Sequence, residues 1–247
     1  MLGQRIALVN RVGNHLLDLV RPELPKVLSN DAPAYRRALL GLVARATGTM
    51  EAILHLAQLR READLAVLIR SLCDHVTTLG WLAADPAANY PLWHAEDARE
   101  RLKAHRQWQQ HLRADLLTAE AVAAFEAIAA EDHPGPTDLH QRAIAADRHW
   151  KDRLGITDHN STFAGIYQLV YRSGSTRMHS TLQGLNDVVE LAPDHVVIAL
   201  ESTVGEQALA SRALVVYGLA LRISAAANGF PRAAEIDSAF AEYYGGK

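Results

Sequence analysis

A chain of 247 residues that is 49% apolar can bury a large core, as one domain or as a domain with an appended subdomain. Its 25 basic and 28 acidic residues give a formal charge of -3, which excludes a global attraction to nucleic acid or membrane and leaves only local basic patches. The single cysteine, Cys73, excludes an internal disulfide framework and multi-cysteine metal sites, so a reducing cytoplasm is the expected setting.

Apolar residues recur with helical spacing almost everywhere, and alanine and leucine dominate the stretches between proline and glycine breaks. The pattern predicts an all-α, multi-helix bundle of about seven to ten helices forming a single helical domain over 1–247, with two long central helices as neighbours. The first helix covers Gly3 to Val20. Its polar interruptions (Arg5, Asn10, Arg11, Asn14, His15) make it amphipathic rather than a signal peptide or membrane span, and no other run is expected to reach membrane length. A second helix is predicted from Asp31 as N-cap, with Pro33 in its first turn, to Arg60. The third, Glu62 to Ala84, is the most apolar and stops at Asp85-Pro86. A polar fourth helix runs through Arg113, anchored by Trp93 and Trp108, and shorter ones cover Thr118 to Glu131 and Thr137 to Leu154, separated by His133-Pro134-Gly135-Pro136.

Beyond Gly155 several N-caps (Asp158, Asn160, Ser161, Thr162) precede a predicted long helix to Leu191, ended by Pro193. The segment near 195–200, HVVIAL, is β-branched, but an isolated strand is rarely stable, so an extended connector and a helical start both fit. Thr203 and Glu206 form a capping-box pattern before a helix ending at Asn228-Gly229, and Pro231 opens the last helix.

Chemistry concentrates on the third and seventh helices. Tyr167, Tyr171, Ser175 and His179 stand four residues apart and form one polar stripe on an otherwise apolar helix, with Arg172 and Arg177 beside it. On the third helix Arg70 and Asp74 lie one turn apart between apolar neighbours, including Val67 and Ile69, in a segment expected to be largely buried. Unpaired burial of such groups costs about 1–3 kcal/mol each, so Arg70, Asp74, Ser175 and His179 are expected to converge. A hydroxyl, a histidine and arginines on one face suit acid/base work on a phosphate or the holding of a small anion; they also suit mutual satisfaction.

The pairing of IRSLCDHVTTLGWLAADP (69–86) with IYQLVYRSGSTRMHSTLQGL (166–185) resembles a bacterial family of helical proteins of unknown function. In that family an Arg-x-x-x-acid helix precedes a Tyr-x-x-x-Ser-x-x-x-His helix by roughly a hundred residues, and the matching positions are Arg70, Asp74, Tyr171, Ser175 and His179. Asp74 departs from the more usual glutamate. More distantly the chain is similar to HEPN-type helical ribonucleases, in which an arginine is followed by four to six residues and a histidine; Arg172 to His179 and Arg70 to His75 have such spacings. That similarity implies metal-independent cleavage of RNA by a toxin or defence endoribonuclease, with His179 moving the proton and Arg172 or Arg177 on the phosphate.

Histidine is frequent, at 12 residues, yet Glu51 with His55, His94 with Asp97 and Arg101, and Asp147 with His149 are spacings common on solvated helices, and neither HExxH nor paired Glu-x-x-His motifs occur. No metal and no cofactor is expected. In HAEDARERLKAHRQWQQH, Arg99, Arg101, Lys103, His105 and Arg106 offer an RNA contact that Glu96, Asp97 and Glu100 interrupt. Three readings stay open: a HEPN-like endoribonuclease acting on RNA; a pocket around Arg70 and His179, with Asp74, Tyr171 and Ser175, that binds or processes a small anionic ligand; and a satisfied polar network that fixes register in a homo-oligomer. None requires a membrane.

Overall fold

The computed structural model describes residues 2–24, 32–59, 62–172, 189–191, 196–198, 206–229 and 232–245. Nine helices lie among the described residues: α1 (Leu2–Val20), α2 (Ala34–Gln58), α3 (Glu62–Ala84), α4 (Pro86–Leu112), α5 (Ala119–Ala129), α6 (Leu139–Trp150), α7 (Phe163–Ile166, continued by a π-helical turn, Tyr167–Tyr171), α8 (Glu206–Asn228) and α9 (Ala233–Gly245). The fold is all-α, with one short ribbon, β1 (Val189–Leu191) paired with β2 (Val196–Ile198). The chain divides into two compact units, Asp85–Thr137 and the remainder.

In the larger unit α3 is the axis, packed against α2, α8, α6 and the π turn. Leu65, Ile69, Leu72, Val76 and Leu79 are at most 1% exposed, and burying aliphatic side chains of this size stabilises by about 1.5–3 kcal/mol each. From Val76 to Ala83 every residue is buried, as expected for a helix apolar on all sides, whereas Val67 near its start is exposed instead of buried. Gly80 lets α6 and α7 come close. A Cβ there would stand 2.5 Å from the buried ring of Phe163, and the Gly80 carbonyl accepts the indole Nε1–H of Trp150 at 2.8 Å. At the next residue the Arg142 guanidinium covers Trp81 at 4.4 Å from the ring centroid, so the buried cation meets a π face.

The first α7 turn is built from two caps. Thr162 Oγ1 accepts the Gly165 N–H at 3.0 Å, and the Asp147 carboxylate of α6 accepts the Phe163 and Ala164 N–H groups at 2.7 and 2.9 Å. These bonds satisfy donors that the helix itself leaves without partners. Helix therefore begins only at Phe163: Asp158 caps a separate 3-10 turn, His159–Ser161, by accepting the Asn160 N–H.

The single helix predicted through Leu191 is corrected at its far end, where β1 and β2 pair antiparallel in the register Val189 with Ile198, Glu190 with Val197 and Leu191 with Val196. The β-branched run at 196–198 thus has the strand partner that an isolated segment lacks. α2 starts at Ala34, and Pro33 precedes it in extended conformation (φ -51°, ψ 140°) without a side-chain cap; Asp31, Pro193, Thr203 and Pro231 lie outside the described residues. α8 ends as predicted, with Gly229 at φ 62°. Contrary to expectation, Ala34–Gln58 and Leu209–Ala227 are each long and apolar enough to cross a membrane. Both flank α3, and 67% of the apolar window in the second is buried, the pattern of a core helix.

In the smaller unit Asp85 Oδ1 caps α4 by accepting the Ala88 N–H, and Arg113 closes that helix in the left-handed region (φ 51°). Thr118 Oγ1 caps α5. Arg99 of α4 donates to the carbonyls of Ala129 and Glu131 at 3.1 and 3.0 Å, placing a cation where the α5 dipole is negative. Trp108 is 43% exposed, so it does not anchor α4 as expected; buried His105, whose Nδ1 accepts the Leu117 N–H at 3.2 Å, does so instead.

Candidate functional site

The π turn brings four side chains from three helices into one row. Arg70 of α3 donates from Nη2 to Tyr171 Oη at 3.0 Å, and its guanidinium carbon lies 4.6 Å from the Tyr171 ring centroid. Tyr171 stacks on Tyr167 at 5.0 Å and 16°, and Tyr167 stacks on His140 of α6 at 4.9 Å and 28°. The cause is local. A π turn holds more residues than an α turn, so positions four apart come closer to eclipsing, and the two tyrosine rings fall face to face. All four side chains are half-buried, which leaves one edge of the row accessible.

A second chain of polar groups runs along the outside of the row. Arg172 donates from Nη1 to Gln168 Oε1 at 3.2 Å, which fixes the amide, and the Gln168 NH2 then faces His140 Nε2 at 3.2 Å. An amide nitrogen can only donate, so His140 Nε2 is the acceptor and Nδ1 carries the ring proton. Gln168 and His140 were not marked by the sequence: His140 sits two residues after the Asp138 cap of α6, and only the docking of α6 beside the π turn gives it a role.

Of the residues predicted from sequence, Arg70 and Tyr171 meet, and Arg172 lies on the outer edge. Asp74 does not join them: it is exposed and accepts from Thr78 Oγ1 at 3.5 Å, with no ion pair to Arg70. Ser175, Arg177 and His179 lie outside the described residues. His75 also turns away from Arg70. Five residues along an α-helix rotate by about 140°, so the side chains of the Arg-x4-His spacing diverge. Arg45 of α2 donates from Nε to His75 Nε2 at 2.9 Å, while His75 Nδ1 bonds the Ser71 carbonyl, so both ring nitrogens are engaged. Burial lowers the His75 pKa, with the Arg45 charge in the same direction and the Ser71 carbonyl and Asp74 opposing. Buried Cys73 is likewise held as a thiol, its pKa raised chiefly by burial and further by Asp74.

The other candidate groups are engaged with partners of their own. Glu51 accepts from Arg21 at 2.6 Å, Asp97 from Arg101 at 2.6 Å, His94 stacks on Tyr90, and Asp147 caps α7. No cluster of three or more metal-binding side chains occurs among the described residues. On α4, Arg99 is committed to the α5 carbonyls, Arg101 to Asp97 and Lys103 to Glu100, so three of the cations considered for an RNA contact are paired.

Comparison with curated proteins and with solved structures gave no match. Residues 36–195 match the family model of DUF5677, a family of unknown function; that span takes in α3, α7 and the whole of the aromatic row and covers well over half of the chain, so the protein belongs to that family.

Proposed function

We propose that the protein is a HEPN-like, metal-independent endoribonuclease whose RNA is held by the row Arg70, Tyr171, Tyr167 and His140. What carries the reading is the continuity of that row: cation, ring, ring and imidazole in succession across α3, the π turn and α6, with each member accessible. Aromatic faces stack on bases whatever their identity, at about 1–3 kcal/mol per base, and a neighbouring guanidinium suits the phosphate between two bases. In such an arrangement Arg70 stands at the Tyr171 end of the stack and Arg172 along its outer edge. His179 takes the proton from the ribose 2'-hydroxyl, that oxygen attacks the adjacent phosphorus, and the bond to the 5'-oxygen breaks; the departing 5'-oxygen takes up the proton that His179 holds, leaving a 2',3'-cyclic phosphate, a 5'-hydroxyl and a neutral imidazole. Arg177 or Arg172 stabilises the negative charge that develops on the non-bridging phosphate oxygens. The half-exposure of all four row members favours this accessible surface over a sealed network that only fixes register in a homo-oligomer.

The test is cleavage of mixed single-stranded RNA by purified protein in EDTA, run beside thermal unfolding. Expected are cleavage by the wild type, its loss in His179→Ala without a change in unfolding midpoint, and weakened RNA binding in Tyr171→Ala and Arg70→Gln. Absence of cleavage and of RNA binding, together with a destabilised His179→Ala variant, would replace the nuclease reading by the structural one.

A further inference from the structure

Beside the π turn, the larger unit holds a cavity of ≈ 270 Å³ bounded by the α7 segment, α8 and α9, and none of its lining residues belongs to the tyrosine row. We propose that it binds a small organic acid carrying one negative charge and an apolar body, a single aromatic ring or a short alkyl chain. The inference is independent of the ribonuclease reading and uses none of its residues.

Its wall is aliphatic. Ile166 and Val170 from the α7 segment and Val216 from α8 are all buried and line the space, while Tyr243 and Tyr244 of α9 form a lip with their rings 5.3 Å apart. Such a surface favours an apolar body. The polar end carries one carboxylate, Asp158, and one guanidinium, Arg212, and only the guanidinium has donors to spare. Asp158 is already spent on its own loop, accepting the Asn160 N–H at 3.0 Å and the Ser161 hydroxyl at 3.0 Å. Arg212, on the α8 side of the mouth, is exposed and has no hydrogen-bond or ion-pair partner among the described residues. A guanidinium with its five donors uncommitted beside an aliphatic wall matches a carboxylate bidentately. Among the described residues that line the cavity Arg212 is the one cation, which matches a single negative charge. The volume falls just below the usual range of about 300–1,000 Å³ for small-molecule sites, which limits the apolar body to a ring or a short chain.

Binding of benzoate and hexanoate to the full chain, followed by saturation-transfer NMR and by the shift in unfolding midpoint, tests the site against the neutral analogues benzyl alcohol and hexanol. The acids are expected to saturate and to raise the midpoint in proportion to log concentration. Arg212→Gln should weaken both acids about fivefold, as a mouth-exposed pair worth about 1 kcal/mol predicts, and leave the alcohols unchanged. Ser211→Trp, which fills the cavity from a half-buried position on α8, should abolish all binding. The proposal is overturned if neither acid saturates, if the alcohols bind as tightly as the acids, or if Arg212→Gln has no effect. Arg212 is exposed, so its variant decides the question even where the filled-cavity variant does not fold.

Discussion

Arg70 meets Tyr171 twice, through a 3.0 Å hydrogen bond from Nη2 to the phenol oxygen and through the guanidinium over the ring at 4.6 Å. The two contacts can be separated. Tyr171→Phe keeps the ring, its stacking on Tyr167 and the cation–π contact, and removes only the acceptor. We expect a loss of about 1 kcal/mol, less than a buried charged hydrogen bond because Arg70 and Tyr171 are half-exposed. Arg70→Met with Tyr171→Phe in a double-mutant cycle should show a coupling of the same size by urea unfolding; strictly additive effects would mean that the bond contributes nothing.

The position of Gly80 decides between two opposed effects. Alanine is favoured over glycine within a helix by about 1 kcal/mol, yet a Cβ here would lie 2.5 Å from two atoms of the Phe163 ring and 3.4 Å from Ala146 Cβ. Phe163 is 1% exposed and cannot swing into solvent. Overpacking therefore wins, and Gly80→Ala should lower stability by about 1–3 kcal/mol while lengthening the bond from Trp150 to the Gly80 carbonyl. A midpoint equal to or above wild type would show that α7 can move away freely.

Much of this architecture can be read before any coordinates are known, and the reasons for the misses are specific. α3 was legible to the residue because an apolar run is followed by Asp85-Pro86, and Arg70 and Tyr171 were legible as polar groups within apolar helices. The π turn was not, since the residues of Tyr167–Tyr171 satisfy a 3.6-residue period equally well and only hydrogen-bond geometry separates the two. His140 was invisible because its partners arrive from another helix. The β1–β2 ribbon was missed for a similar reason: neither three-residue strand stands alone, and their pairing is a property of both together.

His75 gives a pH signature. Burial lowers its pKa below the ordinary 6.5, so in the window between the lowered native value and 6.5 the unfolded chain binds more protons than the native one. Stability contributed by the neutral imidazole is thus present above 6.5 and lost as pH falls through the native pKa. In His75→Gln, which cannot titrate, urea midpoints should flatten across pH 5 to 7 relative to wild type, so that the advantage of the wild type shrinks on acidification. An advantage that grows instead would mean that the protonated ring is preferred in the fold.

Asp147 produces the opposite slope. Its carboxylate accepts two N–H groups at the start of α7, and these bonds lower its pKa, as do Lys151 and His159, but desolvation is the largest effect and the net direction is upward. For an acid with a raised native pKa, the native state holds the proton where the unfolded state has released it. The associated stability is complete below the ordinary Asp value of 3.8 and is lost as pH rises through the native pKa. Asp147→Asn retains one carbonyl acceptor but sets its NH2 against the second backbone N–H, which should lower stability by about 1–2 kcal/mol at neutral pH through a weakened cap. Because the variant cannot titrate, its deficit relative to wild type should widen as pH falls from 6 towards 4, the reverse of the His75→Gln comparison. A deficit that narrows over that range would show that the two N–H bonds outweigh desolvation and that Asp147 is held as a carboxylate.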